Sequence, residues 1–355
     1  MGKIIVLHDV SFASNNLGRV TLISDEELPD DPNNQGGNQG GNQGGNSEDP
    51  NNQGGNQEPQ EPDYSKMYFT IESLADSNAI SIVKTKTPSN ISLSYSVDNG
   101  TTWTSLTISA TTTIATINTG DKIIFKGINN RLAIDWDTYY RFNGSKNFNV
   151  YGNIMSLLNS DNFINTYELD ETTDNHFAGL FYGTTTLINA NNLYLPATIL
   201  YYNSYNGMFR GCTNLVSAPQ IQATTAGHEC CSSMFEGCIN LEVAPEINFT
   251  TLAQNCCKRM FCMSRTTKLT TPKMTKSPIL RCATGVSGCY EEMFKGNGNL
   301  IEVTCLLTNN SSATNSWLTN VSSTGTFYKS PLKNNWPTGV SSIPSGWTRV
   351  DYVEE

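Results

Sequence analysis

MFRGCTNLVSAP at residues 208–219 returns as MFEGCINLEVAP at 234–245, 26 residues later. A third version, MFCMSRTTKLTTP at 260–272, follows after another 26, and MFKGNGNLIEV at 293–303 follows after 33. An imperfect first copy, LFYGTTTLINA, stands at 180–190. A fixed period of this size is the signature of a stacked-repeat architecture. The longer last interval marks an insertion of seven residues near 276–287.

Energetics force the copies together. One unit carries about six apolar side chains, worth about 1.5–3 kcal/mol each when buried. Ordering its backbone costs about 1–2 kcal/mol per residue. A lone unit cannot fold, whereas stacked units share a continuous core and align equivalent residues in columns. Met208, Met234, Met260 and Met293 are expected to form one column, beside Phe209, Phe235, Phe261 and Phe294. Leu215, Leu241 and Leu300 form a third.

The ten cysteines all lie beyond residue 211, and many keep the same register. Cys230, Cys256 and Cys289 stand four residues before the repeat Met, and Cys212 and Cys238 stand four after it. Thiols that recur at the repeat period are read as reduced core residues packing as small hydrophobes. Disulfides between neighbouring rungs are the alternative in oxidising surroundings. A zinc site would draw on His228, Cys230, Cys231, Cys256 and Cys257, but closed zinc sites space their cysteines C-x₂₋₄-C. No metal and no cofactor is expected. Adjacent cysteines point apart on a strand or a helix, so one member of each pair is expected in the core and the other outside it.

Working outward from the repeat gives a mainly β chain in five parts. Residues 1–29 read as a small attachment module, too short to bury a core alone. Residues 30–65 are rich in NQGG and read as a disordered linker, because almost nothing in them offsets ordering entropy. Residues 66–160 read as a β-sandwich-like domain of short strands rich in Ile, Val, Tyr, Phe and Thr. Residues 161–314 hold the solenoid, and 315–355 a C-terminal cap.

Within the β-domain, SVDNGTTW (96–103) fits the Asp-box pattern S-x-D-x-G-x-x-W of sialidases and related propellers. There Asp98 would bind the turn backbone and Trp103 would pack beneath it. The motif is structural. A sialidase would repeat it and add an Arg triad, whereas this chain has one copy and eight scattered Arg. Asp135 and Asp137, and Asp170, Glu171 and Asp174, read as solvated acidic loops.

Composition narrows the function. Only 15% of residues are charged, and the net charge is −10. Nucleic-acid binding by counterion release needs a basic face, so no nucleic-acid partner is expected. No apolar run approaches the ~18 residues of a membrane span, and residues 1–23 do not read as a signal peptide. The sequence carries no G-x-S-x-G, H-E-x-x-H, P-loop or dinucleotide fingerprint. The expectation is a protein that is not an enzyme.

The unit C-x-x-x-M-F-x-G-C-x-N-L-x-x-A-P resembles the BspA-type leucine-rich repeats of Bacteroides and its bacteriophages, over residues 180–303. Residues 315–350 resemble the cap that closes such solenoids. VSFASNNLGRVTL (10–22) resembles the N-terminal segment of gut-phage virion proteins, and residues 148–163 resemble the segment preceding these repeats. The resemblance implies a leucine-rich-repeat solenoid on a phage tail fibre or other virion structural protein, active in receptor binding and host attachment. Its partners would be other virion proteins through the N-terminus and a bacterial surface glycan or protein, without membrane insertion, possible homotrimer assembly being typical of fibres. Localisation would be the virion surface or tail. The alternative is a BspA-type adhesin on the bacterial cell surface, and a glycan-cleaving enzyme is a third reading. The chain departs from the pattern in the third copy, so the solenoid is expected to be kinked or irregular past Met260. The expected ligand surface comprises Tyr201, Tyr202, Tyr205, Arg210, Glu229, Ser232, Glu236, Lys258, Arg259 and Arg265, because Tyr and Arg are common interface anchors.

Overall fold

Nine short strands open the described part of the chain, their inward residues alternating with outward ones as a pleated strand requires. They are β1 (Phe69–Ser73), β2 (Asn78–Lys84), β3 (Leu93–Ser96), β4 (Thr104–Ser105), β5 (Thr111–Ile117), β6 (Lys122–Gly127), β7 (Ala133–Asp135), β8 (Thr138–Gly144) and β9 (Phe148–Asn153). The computed structural model describes residues 61–86, 90–135, 137–263, 272–309 and 312–354. The expected attachment module (1–29), residues 30–60 of the expected linker, Trp136 and Arg265 lie outside those described. Within the span read as linker, Tyr64–Lys66 form a 3₁₀ turn, because the Asp63 carboxylate accepts the Ser65 backbone N–H.

Two sheets result. One runs β9-β1-β6-β3-β4 and is antiparallel throughout; β10 (Leu187–Asn189) and β11 (Leu193–Tyr194) add parallel to β9. The other is antiparallel in the order β5-β2-β8-β7. Their inner faces meet at aromatic rings. Phe142 of β8 lies 5.2 Å from Phe69 and 4.9 Å from Phe125, centre to centre. The one α-helix among the described residues, α1, spans Ser156–Asn159.

From residue 175 onward the chain coils into a β-solenoid of about six turns. One wall is parallel sheet. β12 (Ile199–Leu200), β13 (Thr225–Ala226) and β14 (Thr251–Leu252) stack with a register of one repeat, Ile199 on Thr225 on Thr251. The insertion then starts a second parallel stack: β15 (Lys276–Leu280), β16 (Glu302–Cys305), β17 (Gly325–Lys329) and β18 (Trp347–Asp351). Cys305, where the repeat pattern leads one to expect a turn, is a buried strand residue.

The opposite wall is neither strand nor helix. It is a train of overlapping β-turns, one train per coil. In the third coil the N–H groups of Ser232, Met234, Glu236 and Cys238 donate to carbonyls three residues back, at 3.1–3.2 Å. The alternate N–H groups, of Glu229, Cys231, Ser233, Phe235 and Gly237, donate to the next coil at 2.8–3.2 Å. Every N–H in this stretch thus has a partner, as buried backbone requires.

This geometry has a period of four. The left-handed backbone region recurs at Glu229, Ser233 and Gly237, with φ of 54°, 56° and 79°. A turn closed between residues three apart takes such a φ at its third position in type II geometry. Two residues then face inward and two outward. Cys230–Cys231, Met234–Phe235 and Cys238 all point in and are fully buried.

That pattern corrects the expectation for the adjacent cysteines. Cys230 and Cys231 are both buried, and so are Cys256 and Cys257. Strand and helix geometry would separate neighbours, but the turn train keeps each pair on one side.

The third copy retains its coil-to-coil bonds as far as the described residues go. Phe261 donates to Met293 at 2.9 Å, and Met263 to Lys295 at 2.8 Å.

Candidate functional site

Inward positions build columns of like residues. Leu180, Met208, Met234, Met260, Met293 and Trp317 occupy one, all fully buried. The next is aromatic. Phe181, Phe209, Phe235, Phe261 and Phe294 stack at centroid spacings of 5.2, 5.3, 5.5 and 5.7 Å, with ring planes within 14° of parallel. Stacked rings are worth about 0.5–1.5 kcal/mol per pair beyond burial. Other rings flank it at both ends: Phe181 approaches Phe69 at 6.1 Å, and Phe294 approaches Trp317 of the methionine column at 6.4 Å.

The sulfur atoms sit in this core, away from reagents. Cys230, Cys256 and Cys289 share a column and are fully buried. Burial raises the thiols of Cys212, Cys230 and Cys238 far above their usual range, and those of Cys289 and Cys305 to about 12. Cys257 rises because of its neighbour Cys256 and then of burial. Such groups are protonated at neutral pH, and the thiolate is what attacks or ligates. Among the described residues no group of three or more His, Cys, Asp or Glu is placed to hold a metal ion.

Outward positions carry the chemistry that faces the surroundings. Two adjacent columns run up the turn wall, and charges alternate across them. Arg210 Nε lies 3.2 Å from Glu236 Oε2, and Arg259 Nη2 lies 2.7 Å from Glu236 Oε1. The other arm of Arg259 pairs with Glu292, which also pairs with Lys295. The Arg210 guanidinium covers the ring of Tyr182 at 5.4 Å. A second pair, Lys258 with Glu291, stands beside this chain at 3.1 Å. Burial pushes the Glu292 carboxyl up, but Lys295 and Arg259 more than offset it and hold it below the ordinary value. Burial likewise weighs against charge on Arg259, and Glu236 and Glu292 outweigh it.

Three residues expected on the ligand surface are not there. Tyr205 is fully buried in the column of Phe177, whose ring lies 6.0 Å away. Ser232 is buried, with its hydroxyl on the Lys258 carbonyl at 3.2 Å. Glu236 is 2% exposed because two arginines close over it. Tyr202 is exposed and stacks on His228 at 5.3 Å. Tyr201, Arg210, Glu229, Lys258 and Arg259 are half-buried, and Arg265 is outside the described residues. The two-in, two-out rhythm, visible as apolar pairs every four residues, is the signal that would have removed Tyr205.

The Asp-box hairpin has the geometry its sequence implies. Asp98 Oδ1 accepts the Thr102 N–H at 2.9 Å, and Ser96 Oγ accepts the Gly100 N–H at 2.8 Å. Hydrogen bonds from Ser96 and Thr102 lower the Asp98 carboxyl to about 2. Trp103 packs edge-on to Tyr68 at 5.2 Å, under the Lys126 ammonium at 4.2 Å.

Comparison of the chain with family models, curated proteins and solved structures finds no match.

Proposed function

We propose that this chain is a non-catalytic binding protein whose leucine-rich-repeat-like solenoid meets a bacterial surface, as part of a phage fibre or other virion-associated receptor-binding protein. The observation that carries the reading is the division of labour across the turn wall. Inward columns repeat the same residues, while the outward columns change chemistry from coil to coil: Tyr182 and Arg210 in one, above the covered Glu236, and Arg259 and Glu292 in the other. A scaffold with a constant interior and a varied, rigidly spaced exterior suits recognition of an extended partner. The resemblance of the repeat unit to BspA-type repeats points the same way. No described helix is long and apolar enough to cross a membrane.

The test is two-armed. Mass spectrometry of purified virions should detect the polypeptide, and the full chain should bind host cells. Detection on the bacterial envelope of uninfected cells, with absence from virions, would replace the fibre by an adhesin. Absence of cell binding would remove the surface-contact reading itself.

A further inference from the structure

A separate cavity lies on the first sheet, away from the turn wall. Its floor is a row of side chains at one level across four adjacent strands. Lys122 on β6 pairs in register with Glu72 on β1, Glu72 with Asn149 on β9, and Asn149 with Asn189 on β10. These residues share the face opposite the core, since the alternate positions Ile71, Ile123, Phe148 and Val150 are buried inward. Tyr151 lies one pleat further along β9, and Tyr64 rises from the 3₁₀ turn beside it, edge-on at 5.7 Å. The cavity these residues line has a volume of about 340 Å³. That lies at the small end of the roughly 300–1,000 Å³ of small-molecule sites.

Its polar groups are unusually available. Asn192 Nδ2 donates to the Tyr64 hydroxyl at 2.9 Å, which leaves that hydroxyl's own proton to be given elsewhere. Asn149 Oδ1 is buried with no hydrogen-bond partner, and the Tyr151 hydroxyl is buried beside the Lys122 ammonium. Buried polar atoms are nearly always paired, and an exception calls for an explanation such as a ligand. The one cation and the one anion of the floor, Lys122 and Glu72, are cross-strand neighbours in register, so the floor carries no net charge. What remains is two phenol rings and several amides, which both give and accept hydrogen bonds.

We propose that this cavity binds an uncharged saccharide unit. Sugar hydroxyls both donate and accept, so they match amides and tyrosine hydroxyls. Sugar C–H faces pack on aromatic rings, here Tyr64 and Tyr151. The lining holds one cation and one anion, so it favours neither sign of ligand charge. The site is independent of the solenoid's outer columns and does not rest on the surface-contact reading.

The full chain is screened against arrayed neutral oligosaccharides ending in glucose, galactose, mannose or N-acetylglucosamine, and the best is titrated by calorimetry. At least one should bind. Asn149→Ala should weaken it about tenfold, and Tyr151→Phe, which removes one oxygen and no packing, about fivefold. Tyr202→Ala on the solenoid should leave the affinity unchanged. Thermal melts matching the parent would show that the variants fold. No binding at millimolar sugar, or an affinity unchanged in both Asn149→Ala and Tyr151→Phe, would overturn the proposal. Loss of sugar binding in Tyr151→Phe with cell binding intact would separate this site from the one on the solenoid.

Discussion

The antiparallel sheets and the turn wall of the solenoid satisfy the same backbone in two different ways. In the sheets, neighbouring residues face opposite sides and each strand bonds to both neighbours: β1 pairs with β6 on one side and β9 on the other. In the turn wall, alternate N–H groups bond within their own coil and the rest to the next coil. The period changes from two to four, and positive φ changes from rare to regular. Identical side chains therefore end up stacked on one another in the solenoid, while the sheets interdigitate different ones. A substitution should spread through the sheets but stay local in the coils, because each coil touches only its neighbours.

The strongest way to break this contrast is to empty one place in each core. Phe235→Ala removes a ring stacked on both faces, and Phe142→Ala removes one between the sheets. Each should cost about 3–5 kcal/mol in denaturant melts. Hydrogen exchange should then differ: Phe235→Ala should expose the amides of adjacent coils and spare β1, β6 and β8. Uniform loss of protection in both variants would erase the distinction.

Glu236→Ala comes next. It strips the shared partner from Arg210 and Arg259, and losing one member of a buried ion pair costs roughly 3 kcal/mol. A loss under about 1 kcal/mol in the same melts would mean that the charge chain is ornament on the turn wall.

Backbone substitutions sharpen the contrast through their sign. Gly237 has φ 79°, and Gly237→Ala should cost about 1–2 kcal/mol, since a Cβ disfavours the left-handed region. Ser233, at φ 56°, should become roughly 0.5 kcal/mol more stable as Ser233→Gly. Thr113→Gly in β5 should instead lose about 1 kcal/mol, because glycine weakens a strand. Equal signs for the two glycine substitutions in thermal melts would refute the alternating backbone.

The smallest effect is one of pH. The net influence of Lys295 and Arg259 holds Glu292 below its ordinary value despite burial. Its stabilisation is therefore present above pH ~4.5 and fades as the pH falls through the lowered value. Glu292→Gln should melt lower at pH 7, by about 1 kcal/mol or less, and the gap to the parent should narrow as the pH falls below about 4.5. A gap that widened in acid would reverse the assignment.

Much of this architecture was legible in the sequence. Met208, Met234, Met260 and Met293 announced coils and their columns, because stacked copies must repeat what they bury. The strands of the first sheets showed in Ile80 and Ile82 alternating with Ser81 and Val83. The turn wall is not legible in Cys230–Cys231 at strand or helix period, since both place neighbours on different sides. Apolar pairs four residues apart, separated by Gly, Asn or Ser, are its sign. Glu236 is hidden for a related reason: an acid at its sequence position reads as open, but arginines from the coils on either side close over it. The saccharide cavity was invisible because Lys122, Glu72, Asn149 and Asn189 come from four strands far apart in sequence, aligned only by register.

The coil-to-coil bonds also have a direction. In each turn train the inter-coil N–H groups all point toward the following coil: Asn175 to Tyr202, Asn203 to His228, Glu229 to Gln254, Asn255 to Ser287 and Gly288 to Ser312. Sheets largely cancel their peptide dipoles, but this wall adds them, as a helix does. The turn wall is therefore electrically polar along the stacking direction, with its positive pole at the last coil, while N–H groups elsewhere in the coils, such as Gly227 to Leu200 and Thr250 to Thr224, point the other way. An anionic surface would be met more favourably end-on at that pole than at the opposite end.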